Sequence, residues 1–416
     1  MSGTETARRV VIIGGGPAGA RLAARLAPAA RVTVLAEEPH PAYNRVLLAD
    51  VLAGRYPADV IALPGPADGV TWHAGVRAAR IDRDRRLVLR DDDGAPEPYD
   101  TLVLATGANP VLPPLTGLRL PGGGLPEGVR AFRTLDDCRA LGGVLDARPD
   151  ASAVVIGGGL LGVLAAAALA RRGARVFLAQ RGEHLLDRHL DPAAAGLLAA
   201  HLAGAGVEVH TECAVRGLLT GDGGAVRGVR LADGYELPAD LVVLACGVRP
   251  RAGLARDAGL ATGATGGVTV DDRLTTSDPA IHAIGDCAEH AGVSYGLAGA
   301  AQDQADVLAD ILRGAPHARY AGTRALVRLT LPDGPAPFDL AAFGRPVAGP
   351  PDDVVRLDDA TRGAYRALVV RDDRLRGGVL VGDLGGVGSL ARAWEADEAL
   401  PATAPLLHLL THDGGC

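Results

Sequence analysis

The stretch VVIIGGGPAG, residues 10–19, decides the fold, and VVIGGGLLG, residues 154–162, repeats it in the same chain. In each copy an apolar β-branched run predicts a buried parallel strand, after which the glycines open a helix. Gly14, Gly16 and Gly19 keep the G-x-G-x-x-G spacing, as do Gly157, Gly159 and Gly162. The first glycine permits a tight turn, the second lets backbone approach a pyrophosphate, and the third lets helix and strand pack closely. Pro17 and Ala18, or Leu160 and Leu161, then start a helix whose free N–H groups and positive end face the phosphates. One such match is weak evidence. Two, each bracketed by a strand and an alanine-rich helix, predict two dinucleotide sites.

The residue closing the second strand of each unit separates the two sites. Eighteen residues beyond Gly19 stands Glu37, a carboxylate placed to accept hydrogen bonds from the ribose hydroxyls of an adenosine. Eighteen beyond Gly162 stands Gln180, followed by Arg181. Gln180 suits a ribose diol and Arg181 a 2′-phosphate, or else Arg181 is a solvated surface cation. The first site therefore calls for an unphosphorylated ribose, and the second leaves both coenzymes open.

With 416 residues the chain has room for two or three domains. A net charge of −7 and 3% aromatic residues supply neither a basic stripe nor stacking platforms, which argues against nucleic acid as a partner. The opening MSGTETARR has no apolar signal core, and the longest apolar runs fall short of the roughly 20 residues that span a bilayer, so a cytoplasmic protein free of the membrane is expected. Cys138, Cys213, Cys246, Cys287 and Cys416 lie far apart, against a redox disulfide, an iron–sulfur cluster or structural zinc. The histidines show no ligand spacing, so no metal is expected, and any redox chemistry must rest on an organic cofactor.

YDTLVLATGANP (99–110) and ADLVVLACGVRP (239–250) form a second pair of near copies, each a buried strand ending in a small-residue turn, Thr106-Gly107 or Cys246-Gly247. There the backbone passes close to a ligand. IHAIGDCAEH (281–290) ends a strand at Gly285 and Asp286, an acid suited to a chain of hydroxyls. The expected architecture is α/β, with two nested Rossmann-like domains and a small C-terminal α+β interface domain. The first domain takes residues 1–112 and 249–319, the second 113–248, the third 320–404 and a tail 405–416.

This pattern resembles the FAD-dependent pyridine nucleotide-disulfide oxidoreductase superfamily, flavoproteins with one dinucleotide domain for FAD and one for NAD(P)H. More narrowly it is similar to the FAD-dependent portion of assimilatory nitrite reductase large subunits and to assimilatory nitrate reductase electron-transfer subunits. EEPHPAYNRVLLADVLAG (37–54), FRTLDDCRAL (132–141), YGLAGAAQDQADVLA (295–309), DLAAFGR (339–345) and LVVRDDRLRGGVLVGD (368–383) carry the resemblance. It implies Gly14, Gly16 and Gly19 at the FAD pyrophosphate and Glu37 at its ribose. Asn44 and Arg45 would lie near the flavin or pyrophosphate, Thr106 and Gly107 along the FAD, and Asp286 on the ribitol. Tyr295 and Gly296 would lie by the pyrimidine end of the flavin, where the next helix start stabilises negative charge. The plainer alternatives are a surface ion pair for Arg45 and a packing aromatic for Tyr295.

Two departures stand out. Leu164 occupies the position where many relatives hold the nicotinamide with a glutamate. The sequence ends at THDGGC without the iron–sulfur and sirohaem regions of large nitrite reductases, so nitrite reduction by this chain alone is not expected. The resemblance implies an NAD(P)H oxidoreductase passing electrons through FAD to a separate redox protein in nitrate or nitrite assimilation, as a monomer or homodimer. The rivals are a ferredoxin or rubredoxin reductase, an NAD(P)H oxidase, and a non-catalytic flavin-bound sensor.

Overall fold

The computed structural model describes residues 8–400, apart from 28, 121, 325 and 335, together with Leu410. The chain forms two compact units, one of Met1–Leu47, Pro57–Asn109 and Val248–Thr323, the other of Leu48–Tyr56, Pro110–Gly247 and Arg324–Cys416.

In the first unit the strand Arg9–Ile13 is buried on both faces from Val10 onward, because its apolar run has no polar side to turn to water. It lies between two parallel neighbours, with Val10 opposite Val32 and Thr101. The whole sheet is parallel, in the order Ile281–Ala283, Thr101–Leu104, Arg9–Ile13, Arg31–Ala36, Val70–Ala74. Strand order reverses between Arg9–Ile13 and Thr101–Leu104, and at such a switch point a crevice opens beyond the carboxyl ends of the strands. The helix Pro17–Leu26 starts on a proline, whose missing N–H costs nothing there, and buries Leu22, Ala23 and Leu26. Arg21 and Arg25 tie it to Asp306 and Asp310 on the helix Ala298–Leu312. An antiparallel meander, Ala78–Asp82, Leu87–Arg90 and Glu97–Pro98, adds a second layer.

The second unit repeats the plan with other residues. Its parallel sheet runs Val207–His210, Arg175–Ala179, Ser152–Ile156, Leu241–Leu244, Val129–Ala131, with the reversal between Ser152–Ile156 and Leu241–Leu244. The helix Leu160–Arg171 buries a run of alanines against it, and Val215–Thr220, Val226–Leu231 and Glu236–Pro238 form the meander. The same unit carries an antiparallel sheet ordered Leu326–Leu331, Phe338–Gly344, Arg374–Val381, Ala364–Arg371, Asp353–Asp359, covered by the helix Val387–Glu395 through Val387, Leu390 and Ala391. Here Tyr365 donates its hydroxyl proton to Asp191 Oδ2 at 2.5 Å, and Asp191 also caps the helix Pro192–Gly204 by accepting from the Ala194 N–H. Within this unit the segment Leu48–Tyr56 is held by Arg171 Nε on the Ala53 carbonyl and by Arg55 on Asp50 and Asp333. Among the described residues no helix is long and apolar enough to cross a membrane. Cys416 and most of the tail lie outside the described residues.

Candidate functional site

Each glycine of the first turn meets a different physical demand. Gly14 has φ +121°, and a Cβ there would stand 2.1 Å from the Ala105 carbonyl oxygen. At Gly19 a Cβ would meet the Gly14 carbonyl oxygen at 2.0 Å, so only glycine lets the helix sit this close to the strand. Gly16 has nothing within 4 Å of its Cβ position and is the N-cap of Pro17–Leu26, with no side chain bonded to the cap and no acid in the first turn. A cradle of uncapped N–H groups with an open face on the middle glycine suits a pyrophosphate.

The second unit reproduces this geometry. Gly157 has φ +110° with a Cβ clash on the Ala245 carbonyl oxygen at 2.5 Å, Gly162 would clash with the Gly157 carbonyl oxygen at 1.8 Å, and Gly159 is open and caps Leu160–Arg171 without a side-chain bond. Leu160 and Leu161 begin that helix, half-buried, as Pro17 and Ala18 begin the other.

Around the first turn, Thr106 Oγ1 donates to the Arg251 carbonyl at 2.7 Å, and the Arg251 N–H donates to the Gly107 carbonyl at 2.9 Å. The Arg251 guanidinium then pairs with Glu37, with Nη2 3.0 Å from Oε1. Asn44 caps its own loop, its Oδ1 accepting from the Val46 N–H at 3.1 Å. Arg45 pairs with Glu38, donates to the Tyr43 hydroxyl at 3.0 Å and lies 4.9 Å over that ring, so the ion pair foreseen as its alternative is present. Gly285, at φ +74°, donates its N–H at 2.7 Å to Oε1 of the buried Gln304, which fixes the turn carrying half-buried Asp286. Tyr295 accepts from the Thr323 N–H at 3.3 Å and meets Tyr320 edge-on, while Gly296 is exposed at φ +64° just before the helix Ala298–Leu312.

Around the second turn, Gln180 is engaged at both ends of its amide. Its Oε1 accepts from the Gly158 N–H at 2.9 Å and its Nε2 donates to the His184 carbonyl at 3.1 Å. The exposed Arg181 guanidinium makes no hydrogen bond or ion pair among the described residues. Burial pushes the Cys246 thiol up, and the positive charge of Arg181 partly offsets this. Cys246 donates to the Ile156 carbonyl, and Gly247 turns the chain at φ +93°. Leu164 is half-buried on its helix.

Sequence spacing missed Arg251, Glu38 and Gln304. Arg251 directly follows the quoted VRP step and Gln304 lies inside the quoted AAQDQAD run, but their partners are distant in the chain.

Residues 8–305 match the pyridine nucleotide-disulphide oxidoreductase family. The chain is 33% identical over 387 residues to the assimilatory nitrate reductase electron transfer subunit of Bacillus subtilis (strain 168), covering 90% of this chain and 48% of that protein. It is 32% identical over 384 residues to the NAD(P)H nitrite reductase of the same organism, covering 90% and 46%. Among solved structures, putidaredoxin reductase in covalent complex with putidaredoxin superposes with TM-score 0.83 at 25% identity, covering 97% of this chain and 98% of that one. The chain thus spans about half the length of the two curated relatives. It belongs to the pyridine nucleotide-disulphide oxidoreductase family, oxidoreductases whose cofactors are FAD and NAD(P)H. The two open glycine cradles fit both cofactors.

Proposed function

We propose that this chain passes electrons from NAD(P)H through FAD to a separate redox protein in cytoplasmic nitrate or nitrite assimilation. The observation that carries the reading is the duplicated cradle, two glycine turns in two parallel sheets with the middle glycine open in each. The two curated relatives support the nitrate and nitrite setting.

When bound, FAD supplies the chemistry that links two-electron nicotinamide oxidation to one-electron acceptors. In residues 1–112 and 249–319, Gly14, Gly16, Pro17, Ala18 and Gly19 would hold its pyrophosphate, Glu37 its ribose and Asp286 its ribitol. Asn44, Arg45, Thr106, Gly107 and Gly285 would shape the walls, with Tyr295 and Gly296 beside the helix start that favours negative charge. In residues 113–248, Gly157, Gly159, Leu160, Leu161 and Gly162 would hold the NAD(P)H pyrophosphate. Gln180, Arg181, Cys246 and Gly247 would line its ribose and backbone path. Residues 320–404 would form the interface domain.

Anaerobic stopped-flow mixing of the purified yellow protein with NADH tests the proposal. Rapid bleaching of the flavin band, followed by reoxidation on adding a purified nitrate or nitrite reductase component, is expected. A colourless protein, or a flavin that NADH does not bleach, overturns it. A second reading, reductase of a ferredoxin-like protein, is favoured by the near-complete mutual coverage with putidaredoxin reductase. Faster reoxidation by a ferredoxin than by the reductase component would select it.

A further inference from the structure

The antiparallel sheet of the second unit borders a cavity of about 400 Å³ lined in part by Arg324, Arg345, Arg371, Arg376, Asp352 and Trp394. Four guanidiniums there, against the carboxylates of Asp352 and Asp397, make a basic spot in a chain of net charge −7. Both carboxylates are engaged. Asp352 takes Arg371 Nε at 2.6 Å and the Gly349 N–H at 2.9 Å, and Asp397 faces Arg374 at 3.5 Å. Arg324 donates to the Trp394 carbonyl and lies 5.8 Å over the Trp394 ring.

Two cations are left over. The Arg345 side chain, on an exposed residue, makes no hydrogen bond or ion pair among the described residues, though its charge helps hold Asp352 ionised. Arg376 has a buried Nε without a hydrogen-bond partner, and the carboxylate nearest its Nη2 is Asp372 at 3.8 Å, largely exposed. The Arg345 N–H donates to the Arg376 carbonyl at 2.8 Å, which sets the two residues side by side. The Arg376 side chain is otherwise part-exposed and lines the cavity, and a guanidinium with no close carboxylate gains charge-assisted hydrogen bonds from an oxyanion seated there.

We propose that this cavity binds a small phosphate-bearing anion, inorganic phosphate or a phosphomonoester, held by Arg345 and Arg376 against the wall made by Arg324 and Trp394. Planar guanidinium forks match a tetrahedral oxyanion with two or more oxygens, and paired forks favour phosphate over a monovalent carboxylate. The volume exceeds that of the ion alone and admits an organic body on the ester, at the lower end of small-molecule pockets.

The chain has two tryptophans, Trp72 and Trp394. The FAD-loaded protein labelled with 5-fluorotryptophan gives two ¹⁹F signals, assigned by Trp72→Phe. Titration with inorganic phosphate and with ribose 5-phosphate should shift the Trp394 signal saturably. Arg345→Ala and Arg376→Lys should each raise the midpoint at least about tenfold. Arg345 is exposed, so its variant is expected to keep the parent melting temperature. A shift that chloride reproduces at equal ionic strength, or no saturable shift, overturns the proposal. Saturation by a decaglutamate peptide at lower concentration than either phosphate also overturns it, and assigns the cavity to an acidic protein segment.

Discussion

Arg251 pairs with Glu37 within the first unit, its Nη2 3.0 Å from Oε1, so the carboxylate at the end of the strand Arg31–Ala36 is already matched with a cation. Both side chains are partly exposed, and such a pair contributes about 0–1 kcal/mol to folding. Its value lies in orienting the carboxylate. Glu37→Ala should leave the melting temperature nearly unchanged while weakening FAD by about 1.5–3 kcal/mol, roughly tenfold or more in Kd. Arg251→Ala should weaken FAD less, because the acceptor remains. FAD titration of the apoprotein measures both, and an unaltered Kd in Glu37→Ala removes Glu37 from the ribose.

The two outer glycines and the middle one should fail differently. Gly162→Ala puts a methyl group on the Gly157 carbonyl oxygen and should destabilise the protein by ~1–3 kcal/mol or more. Gly159→Ala meets nothing in the protein and should fold normally, yet its methyl group would stand where a pyrophosphate approaches. An NADH Kd raised at least about tenfold at an unchanged melting temperature is the expected signature. Normal NADH binding by Gly159→Ala would detach the coenzyme from this turn.

Arg181 is one cation beside the second turn, and Gln180 carries no charge to repel a 2′-phosphate. The protein should use both coenzymes with a modest NADH preference, and Arg181→Glu should widen it by about tenfold through like-charge repulsion. Comparing kcat/KM for the two coenzymes decides the point. A parent preference for NADPH near a hundredfold, about 2.7 kcal/mol, would make Arg181 a dedicated phosphate ligand.

Among the described residues Tyr365 supplies the side-chain hydrogen bond to the buried Asp191 carboxylate, so Tyr365→Phe leaves the helix cap but strands charge. A loss of about 1.5–3 kcal/mol is expected, which calorimetry should register as a fall of several degrees in the melting temperature. A change under about 0.5 kcal/mol would show that water replaces the hydroxyl.

Asp100 accepts from the Arg9 guanidinium and the Arg9 N–H, and these bonds hold its carboxyl down at about 2. A depressed carboxylate stabilises the fold above its unfolded pKa, near 3.9, and that contribution fades as pH falls towards 2. Asp100→Asn should therefore flatten the stability curve between about pH 4 and pH 2, modestly because the pair is part-exposed. An identical acid limb in urea unfolding would show that the pairing persists in the unfolded chain.

The glycine turns, the strands ending in them and the small-residue closures at Thr106-Gly107 and Cys246-Gly247 were legible because their chemistry is local. Spacing alone fixes which glycine turns, which opens and which packs. The partners of the charged residues were not legible. Arg251 reaches Glu37 across 214 positions and Gly285 meets Gln304 across 19, and only the folded sheet brings them together. Gln180 illustrates the difference. Its position was readable from the sequence, but its bonds to Gly158 and His184 depend on a loop conformation that spacing does not encode.

That engaged amide also has a historical consequence. A lineage that acquires a carboxylate at position 180 gains discrimination between coenzymes and, in the same step, loses the donor that fastens the glycine turn to the loop after it. Discrimination gained through position 180 therefore carries a structural penalty that a charge change at position 181 does not. Descendants that switch are expected to show a remodelled loop at 181–184 before an acid at 180, an order that reconstruction of ancestral sequences can read.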